Sequence, residues 1–305
     1  MNTVKRSSVT RFAWLSIAAA ISTIALKLTA WFLTNSVGLL SDALESVINL
    51  AGAIMALAML TIALRPADEE HAYGHSKAEY FSSGAEGIMI LIAAVFIVIT
   101  SLERLFNPQP VEHIAAGLIV SVAASLINLA VALVLFKGGK KHRSITLEAD
   151  AKHLMTDVWT TLGVIIGVGL VALTGWQRLD PIIAILVAAN IVWSGLSIVK
   201  KSVSGLMDRA VSLEDQNKIM GILEPYKQQG IEFHALLTRQ AGAKQFVSFH
   251  VLVPGVWSVL KGHQLIEEIE AAIHSQIPGI IITTHLEPVE DPSSYLDISL
   301  ERKFE

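Results

Sequence analysis

Six long apolar runs, separated by residues that turn or break a helix, leave this chain little choice of fold. About 20 apolar residues cross the hydrocarbon core of a bilayer as a helix, because a helix satisfies its backbone N–H and C=O groups internally where no water reaches them. The runs cover about Phe12–Leu33, Val37–Leu64, Gly84–Leu105, Ile114–Phe136, Thr146–Thr174 and Pro181–Val199. Between them stand Thr34-Asn35-Ser36, Arg65-Pro66, Asn107-Pro108-Gln109-Pro110, Gly138-Gly139 and Gly175, each with turn or breaker chemistry. Only 16% of the residues are charged, where a soluble domain of this size carries about a quarter. The lipid bilayer is therefore the solvent for most of the chain. The first run is too long for a signal-peptide core and ends in Trp31 and Phe32 without a small-residue cleavage site, so it is read as a retained helix.

Basic residues set the orientation. Lys5, Arg6 and Arg11 precede the first run, and Arg65 and Lys77 lie between the second and third. Lys137, Lys140, Lys141 and Arg143 fill the connection from the fourth to the fifth, and Lys200 and Lys201 follow the sixth. The alternate connections hold little beyond Arg178, with Arg104 near one edge. The positive-inside rule places both termini in the cytoplasm, in a multi-pass protein of the cell's inner or plasma membrane.

From about Met207 the texture becomes that of a soluble domain. Leu213–Tyr226 and Leu260–Ile277 read as helices, and Glu232–Thr238, Gln245–Val253 and Ile280–Leu286 as strands. That order predicts a small α+β layer with its helices on one face of a sheet. The expected division is 1–206 for a six-helix transmembrane domain, 207–291 for a cytoplasmic domain, and 292–305 for a polar, mobile tail.

A net charge of −4 gives no reason to expect nucleic acid as a partner. There are no cysteines. Any metal held here must use imidazole, carboxylate or amide, which suit zinc, iron, cobalt, nickel or manganese better than cuprous ion.

Ionisable groups inside a span cost roughly 2.5–3.5 kcal/mol each, so their presence calls for a reason. The second run contains Asp42, Glu45 and Asn49, and the fifth contains Asp150, His153 and Asp157. Positions i, i+3 and i+7 stack on one helix face. Each run thus carries one polar stripe, and burying both requires that they face each other. Glu45, Asn49, His153 and Asp157 would then form a four-ligand cage for a divalent transition ion. The plainer alternative is hydrogen bonding between packed helices, which stays open for Asp42 and Asp150 above all. Lys27, in the first run, is expected to snorkel or to pair with a carboxylate.

Two further clusters lie outside the membrane. Asp68, His71 and His75 crowd a short cytoplasmic loop, where a merely solvated loop is the default. Five of the ten histidines fall in the terminal domain, as His234, His250, His263, His274 and His285, with Glu287 two residues past the last. Three of these lie on expected strands or their ends, which suggests a zinc-type site. His113 and His142 read as solvated.

At these residues the sequence resembles the cation diffusion facilitator family over nearly its whole length. The run from Ser36 to Ser46, Ser-Val-Gly-Leu-Leu-Ser-Asp-Ala-Leu-Glu-Ser, resembles the family's second-helix signature. Tyr73-Gly-His-Ser-Lys-Ala-Glu79 is similar to its loop motif, and His153-x-x-x-Asp157 to its fifth-helix pair. His234-x-x-x-Thr238-Arg-Gln-Ala-Gly242, Phe246 to His250, His263 and His285-x-Glu287-Pro288 resemble its cytoplasmic domain.

The resemblance implies a homodimer of six-helix protomers, a ferredoxin-like cytoplasmic domain that binds metal and dimerises, and proton-coupled export of divalent metal. It implies a transport site of Glu45, Asn49, His153 and Asp157, and a loop site of Asp68, His71 and His75. It also implies a regulatory site of His234, His250, His285 and Glu287, with His263 nearby. Zinc is the first expectation for the cargo, with iron(II), cobalt, nickel and manganese beside it. Family members usually carry His or Asp at the Glu45 position and Asp at the Asn49 position, so this chain is one negative charge poorer there. An intramembrane metalloenzyme is disfavoured because no His-Glu-x-x-His motif or nucleophile constellation occurs. A non-transporting sensor or partner subunit on the same fold is the remaining alternative, and Asn49 is the feature that favours it.

Overall fold

A computed structural model describes residues 3–142 and 145–296; the side chains of 3–13, 56, 139–142, 145–150, 152 and 153 lie outside the described set. Six helices, α1 (Thr3–Thr34), α2 (Val37–Ala63), α3 (Ala78–Phe106), α4 (Ile114–His142), α5 (Ile145–Thr174) and α6 (Leu179–Leu206), are each long and apolar enough to cross a membrane. Phe32, Leu173 and Trp193 are 83%, 85% and 78% exposed on them, a bare apolar surface that suits lipid and would be a liability in water.

The helices outrun the apolar windows. α3 starts at Ala78, ahead of the expected Gly84, and α4 continues through Gly138-Gly139 to His142. Glycine weakens a helix by about 1 kcal/mol without forbidding it, so the pair expected to end the fourth run is carried inside the helix. The His142 and Asp150 side chains fall outside the described residues, while His113 is exposed as expected.

The chain divides into two compact units, one of residues 1–56 with 83–199 and the other of 57–82 with 200–305. In the first, Ala30, Leu39, Val164, Val168 and Val171 join α1, α2 and α5. Val37, Ala94, Ile97, Ala184, Ala188 and Ile191 join α2, α3 and α6. Small residues bring backbones together, as membrane helices require in the absence of a hydrophobic drive between them. Asp180 in the first turn of α6 accepts hydrogen bonds from Ser36 Oγ and from the Val37 and Gly38 amides. A carboxylate thus satisfies the orphan donors at the start of α2.

The second unit contains α7 (Leu213–Lys227), β1 (Glu232–Ala241), β2 (Lys244–Val253), α8 (Val259–Gln276), β3 (Ile280–Pro288) and a 3-10 turn at Pro292–Tyr295. The sheet order is β1-β2-β3, with β1 and β2 antiparallel and β2 and β3 parallel across α8. This is the ferredoxin-like arrangement without its first, central strand. Val247, Phe249, Val251 and Val253 alternate toward Ile219 and Leu223 of α7 and Ile269 and Ile273 of α8. The intervening positions, His250 among them, therefore point to the opposite face.

The expected mobile tail starts as an anchored turn. Asp291 caps Ser293, Ser294 Oγ donates to Pro288 O at 2.8 Å, and Tyr295 Oη donates to Glu232 at 3.3 Å. Residues 297–305 lie outside the described set.

Candidate metal centres

In the terminal domain the sheet register does the positioning. His234 stands opposite His250, and His250 opposite His285, in one row across three strands. Glu287 follows two residues later on the same face. A β-bulge between His234 and Leu237, with Ala235 at φ +50°, shifts the pairing of β1 just beyond His234, and bulges re-aim side chains in this way. His234 Nε2 lies 3.0 Å from His250 Nδ1, and both lie 3.1 Å from Glu287 Oε2. The three side chains are 13%, 19% and 8% exposed.

Donors around a tetrahedral ion at 2.1 Å are about 3.4 Å apart. The triangle is already within a few tenths of an ångström of that size, and its two imidazoles and one carboxylate suit a zinc-like ion. His285 completes the row with its ring 4.9 Å from that of His250, yet it is exposed and is not among the three donors that converge. His263 does not join them either. It sits exposed on α8 with Glu267 as its partner at 3.8 Å, because α8 packs on the core face of the sheet.

The loop cluster is also assembled. Asp68 Oδ1 is 3.0 Å from His71 Nδ1, Asp68 Oδ2 is 3.2 Å from His75 Nε2, and the two imidazoles lie 4.4 Å apart. Burial raises the Asp68 pKa, but hydrogen bonds from the His71 backbone and ring, with positive charge at His75 and His71, outweigh it and hold the carboxyl low. A carboxylate held ionised between two imidazoles is a competent cation site, though an exposed one. His75 is the sheltered member, 12% exposed. Its Nδ1 is buried and meets no partner among the described residues.

Beside this loop, Tyr73 meets Phe246 edge-on at 5.8 Å, and the Arg239 guanidinium stands 4.1 Å from the Phe246 ring centroid. Lys77 and Arg239 both bind Asp208, at 3.0 and 3.2 Å. Gly242, at φ +58° in the β1–β2 turn, lies so close to the Ser76 carbonyl that a Cβ there would collide with it.

Within the membrane the arrangement is looser. Glu45, Asn49 and Asp157 line a cavity of about 260 Å³ walled by α2, α3, α5 and α6. Asn49 and Asp157 also line a smaller one of about 100 Å³ with Thr23, Ser46 and Asn128; the buried Asn128 Oδ1 meets no partner among the described residues. The His153 side chain lies outside the described residues, and its backbone is in α5.

Asp42 leaves the stripe. Lys27 Nζ donates to it at 2.9 Å and to Ser46 Oγ at 2.8 Å, and Thr161 Oγ1 donates to the same carboxylate at 2.9 Å. This buried pair neutralises itself, and breaking it would strand a charge. Sequence reasoning missed Glu86 of α3 and Asn190 of α6, which line the larger cavity with Glu45 and Asp157. The signal for Glu86 was present as an acid deep in the third run, with Glu103 far off near the other end, but without a second ligand at helical spacing it formed no stripe.

Residues 13–207 match the family described as the cation efflux transmembrane domain, and residues 211–289 the one described as the cation efflux protein cytoplasmic domain. "Uncharacterized transporter sll1263" of Synechocystis sp. is 51% identical over 93% of this chain and 92% of its own. "Cation-efflux pump FieF" of Klebsiella pneumoniae is 30% identical over 97% of each chain. The solved "Metal-bound C-terminal domain of CzcD transporter from Thermotoga maritima" is 26% identical over 26% of this chain and 93% of that one, with a TM-score of 0.25.

Proposed function

Because the chain belongs to the cation efflux family, we propose that it exports divalent transition-metal ions from the cytoplasm in exchange for protons, working as a homodimer. It is a multi-pass membrane protein with a cytoplasmic C-terminal domain, in a family of transporters and not of enzymes. In this reading both termini are cytoplasmic and the membrane is the cell's inner or plasma membrane. The observation that carries the proposal is the cavity of about 260 Å³ lined by Glu45, Asn49 and Asp157 inside the membrane unit. Acids and an amide around a cavity between four apolar helices are costly unless something is bound and released there.

The cation enters from the cytoplasm and takes Glu45, Asn49, His153 and Asp157 as ligands. Ligands must be deprotonated to bind metal, so arrival of the cation expels protons from His153 and the carboxylates. The helices then open the cavity to the other side, where protons compete the cation off and return through the same groups. Zinc is the first cargo to test, followed by iron(II), cobalt, nickel and manganese. The Klebsiella relative named as a cation-efflux pump supports the direction of transport. The His234, His250 and Glu287 triangle binds a second metal that regulates the dimer, and Asp68, His71 and His75 hold a third at the loop.

A sensor that binds metal without moving it is the second reading, favoured by the missing charge at Asn49. Purified protein in sealed vesicles loaded with a metal-sensitive dye separates the two. The exporter accumulates metal in the dye compartment, whereas a sensor binds metal at the same protein density with no flux.

A further inference from the structure

Glu45, Asn49 and Gly52 fall on one face of α2, at steps of four and three residues, so the third position of that polar stripe has no side chain of its own. It is filled from the neighbouring helix. A Cβ at Gly52 would stand 2.7 Å from Glu86 Cδ, which means that the Glu86 carboxyl of α3 lies against the bare backbone of α2. Along α3, Glu86, Ile90, Ala93 and Ile97 follow each other at steps of four, three and four, and all four line the cavity of about 260 Å³ that holds Glu45, Asn49 and Asp157.

Position along the membrane adds a direction. α3 begins on the cytoplasmic side, and Glu86 comes eight residues after Ala78, about 12 Å along the axis. Gly52 is about one turn nearer than Asn49 to the cytoplasmic end of α2. A cation entering this cavity from the cytoplasm therefore meets Glu86, then Asn49, then Glu45.

We propose that Glu86 is a working residue of the transport site, taking the divalent cation at the cytoplasmic end of the cavity and supplying the negative charge that Asn49 lacks. This rests on the reading of the chain as a divalent-cation exporter. Glu45, Glu86 and Asp157 line this one cavity, and a divalent cation inside it is attracted to all of them at close range. The amide at position 49 and the acid at position 86 thus form one arrangement, with the charge moved by one turn onto the next helix.

The test is metal flux and equilibrium metal binding by the full-length protein in vesicles, with zinc and cobalt(II) as probes. Glu86→Gln keeps the size and removes the charge. It should raise the half-saturating metal concentration on the order of 10- to 100-fold, the cost of losing a supporting carboxylate at a metal site. Adding Asn49→Asp to Glu86→Gln restores the charge one turn away and should recover most of that loss, which a merely structural role for Glu86 would not allow. Gly52→Ala is a second, milder variant, since its methyl displaces the flexible end of Glu86 and leaves the charge in place; it should weaken binding in the same direction. Glu86→Gln that matches the parent at equal membrane abundance overturns the proposal, as does a double variant no better than Glu86→Gln alone. A parent protein that moves neither metal overturns the exporter reading instead.

Discussion

The triangle on the terminal sheet and the cavity among the membrane helices use the same kinds of donor in opposite ways. On the sheet, strand register brings His234, His250 and Glu287 to within 3.1 Å of one another. In the membrane, Glu45, Asn49 and Asp157 stand around about 260 Å³ of space, and among the described residues no three acids or histidines there converge as the triangle does. A sheet ladder leaves each side chain few alternatives, so it suits a site that holds its ion. Helices tilt and slide against small residues, so they suit a site that must bind on one side and let go on the other. The buried Lys27–Asp42 pair belongs with the first kind, since it fixes α1 to α2 at 2.9 Å.

The largest expected effect lies on the loose side of this contrast. His153→Ala and Asp157→Ala should each lower metal flux at least ~100-fold, since each would remove a ligand of the proposed site, while the protein stays folded and inserted. Flux in vesicles at matched abundance is the measurement, and near-normal transport by either variant would break the assignment.

His250→Ala should have a smaller effect on flux and a larger one on binding. His250 touches both other donors of the triangle, so its loss should weaken that site roughly 100-fold and remove one tightly bound metal per chain, as read by calorimetry on the full-length protein. Flux at saturating metal should persist. A variant that stops transport entirely would show that the rigid centre is part of the pathway.

The smallest effect concerns the Lys77–Asp208–Arg239 group. The Lys77 ammonium holds Asp208 below the usual carboxylate range, against the opposing effect of burial, and Arg239 adds to it. A carboxyl depressed in the folded state stabilises it fully above the unfolded value near 3.8, and that stability is lost as pH falls through the lower folded value. Asp208→Asn should therefore lower Tm at neutral pH, by less than ~1 kcal/mol of stability because the group is open to solvent screening, with Asp208 47% exposed. The difference from the parent should shrink to nothing well below pH 3.8.

Much of this was legible in the residues. Apolar length located six membrane helices, and the strand segments Glu232–Thr238, Gln245–Val253 and Ile280–Leu286 put His234, His250 and His285 on strands or their ends. What the sequence did not disclose were facts of packing between elements. Nothing local to Glu86 says that Gly52 leaves room for it. Nothing in the spacing of Asp42 tells that Lys27 claims it and leaves the stripe to Glu45 and Asn49. The position of α8 on the core face, which parts His263 from the strand histidines, follows from tertiary layering. The helix ends ran past the expected boundaries at Gly84 and Phe136 because hydropathy marks where lipid ends, not where hydrogen bonding does.

Proton exchange is the claim on which the account depends most. Ligands that must lose protons to bind metal tie cation entry to proton release. The direct measurement is metal uptake by inside-out vesicles holding an acidic interior, with the internal pH followed by a dye. The account predicts that uptake dissipates the gradient, that flux slows as the outer, cytoplasm-facing pH falls from about 8 to 5.5 across the imidazole range, and that His153→Ala abolishes both responses. Metal uptake at the same rate with and without the gradient, and unchanged across that range, would contradict it and leave a carrier that moves cations downhill with no proton in exchange.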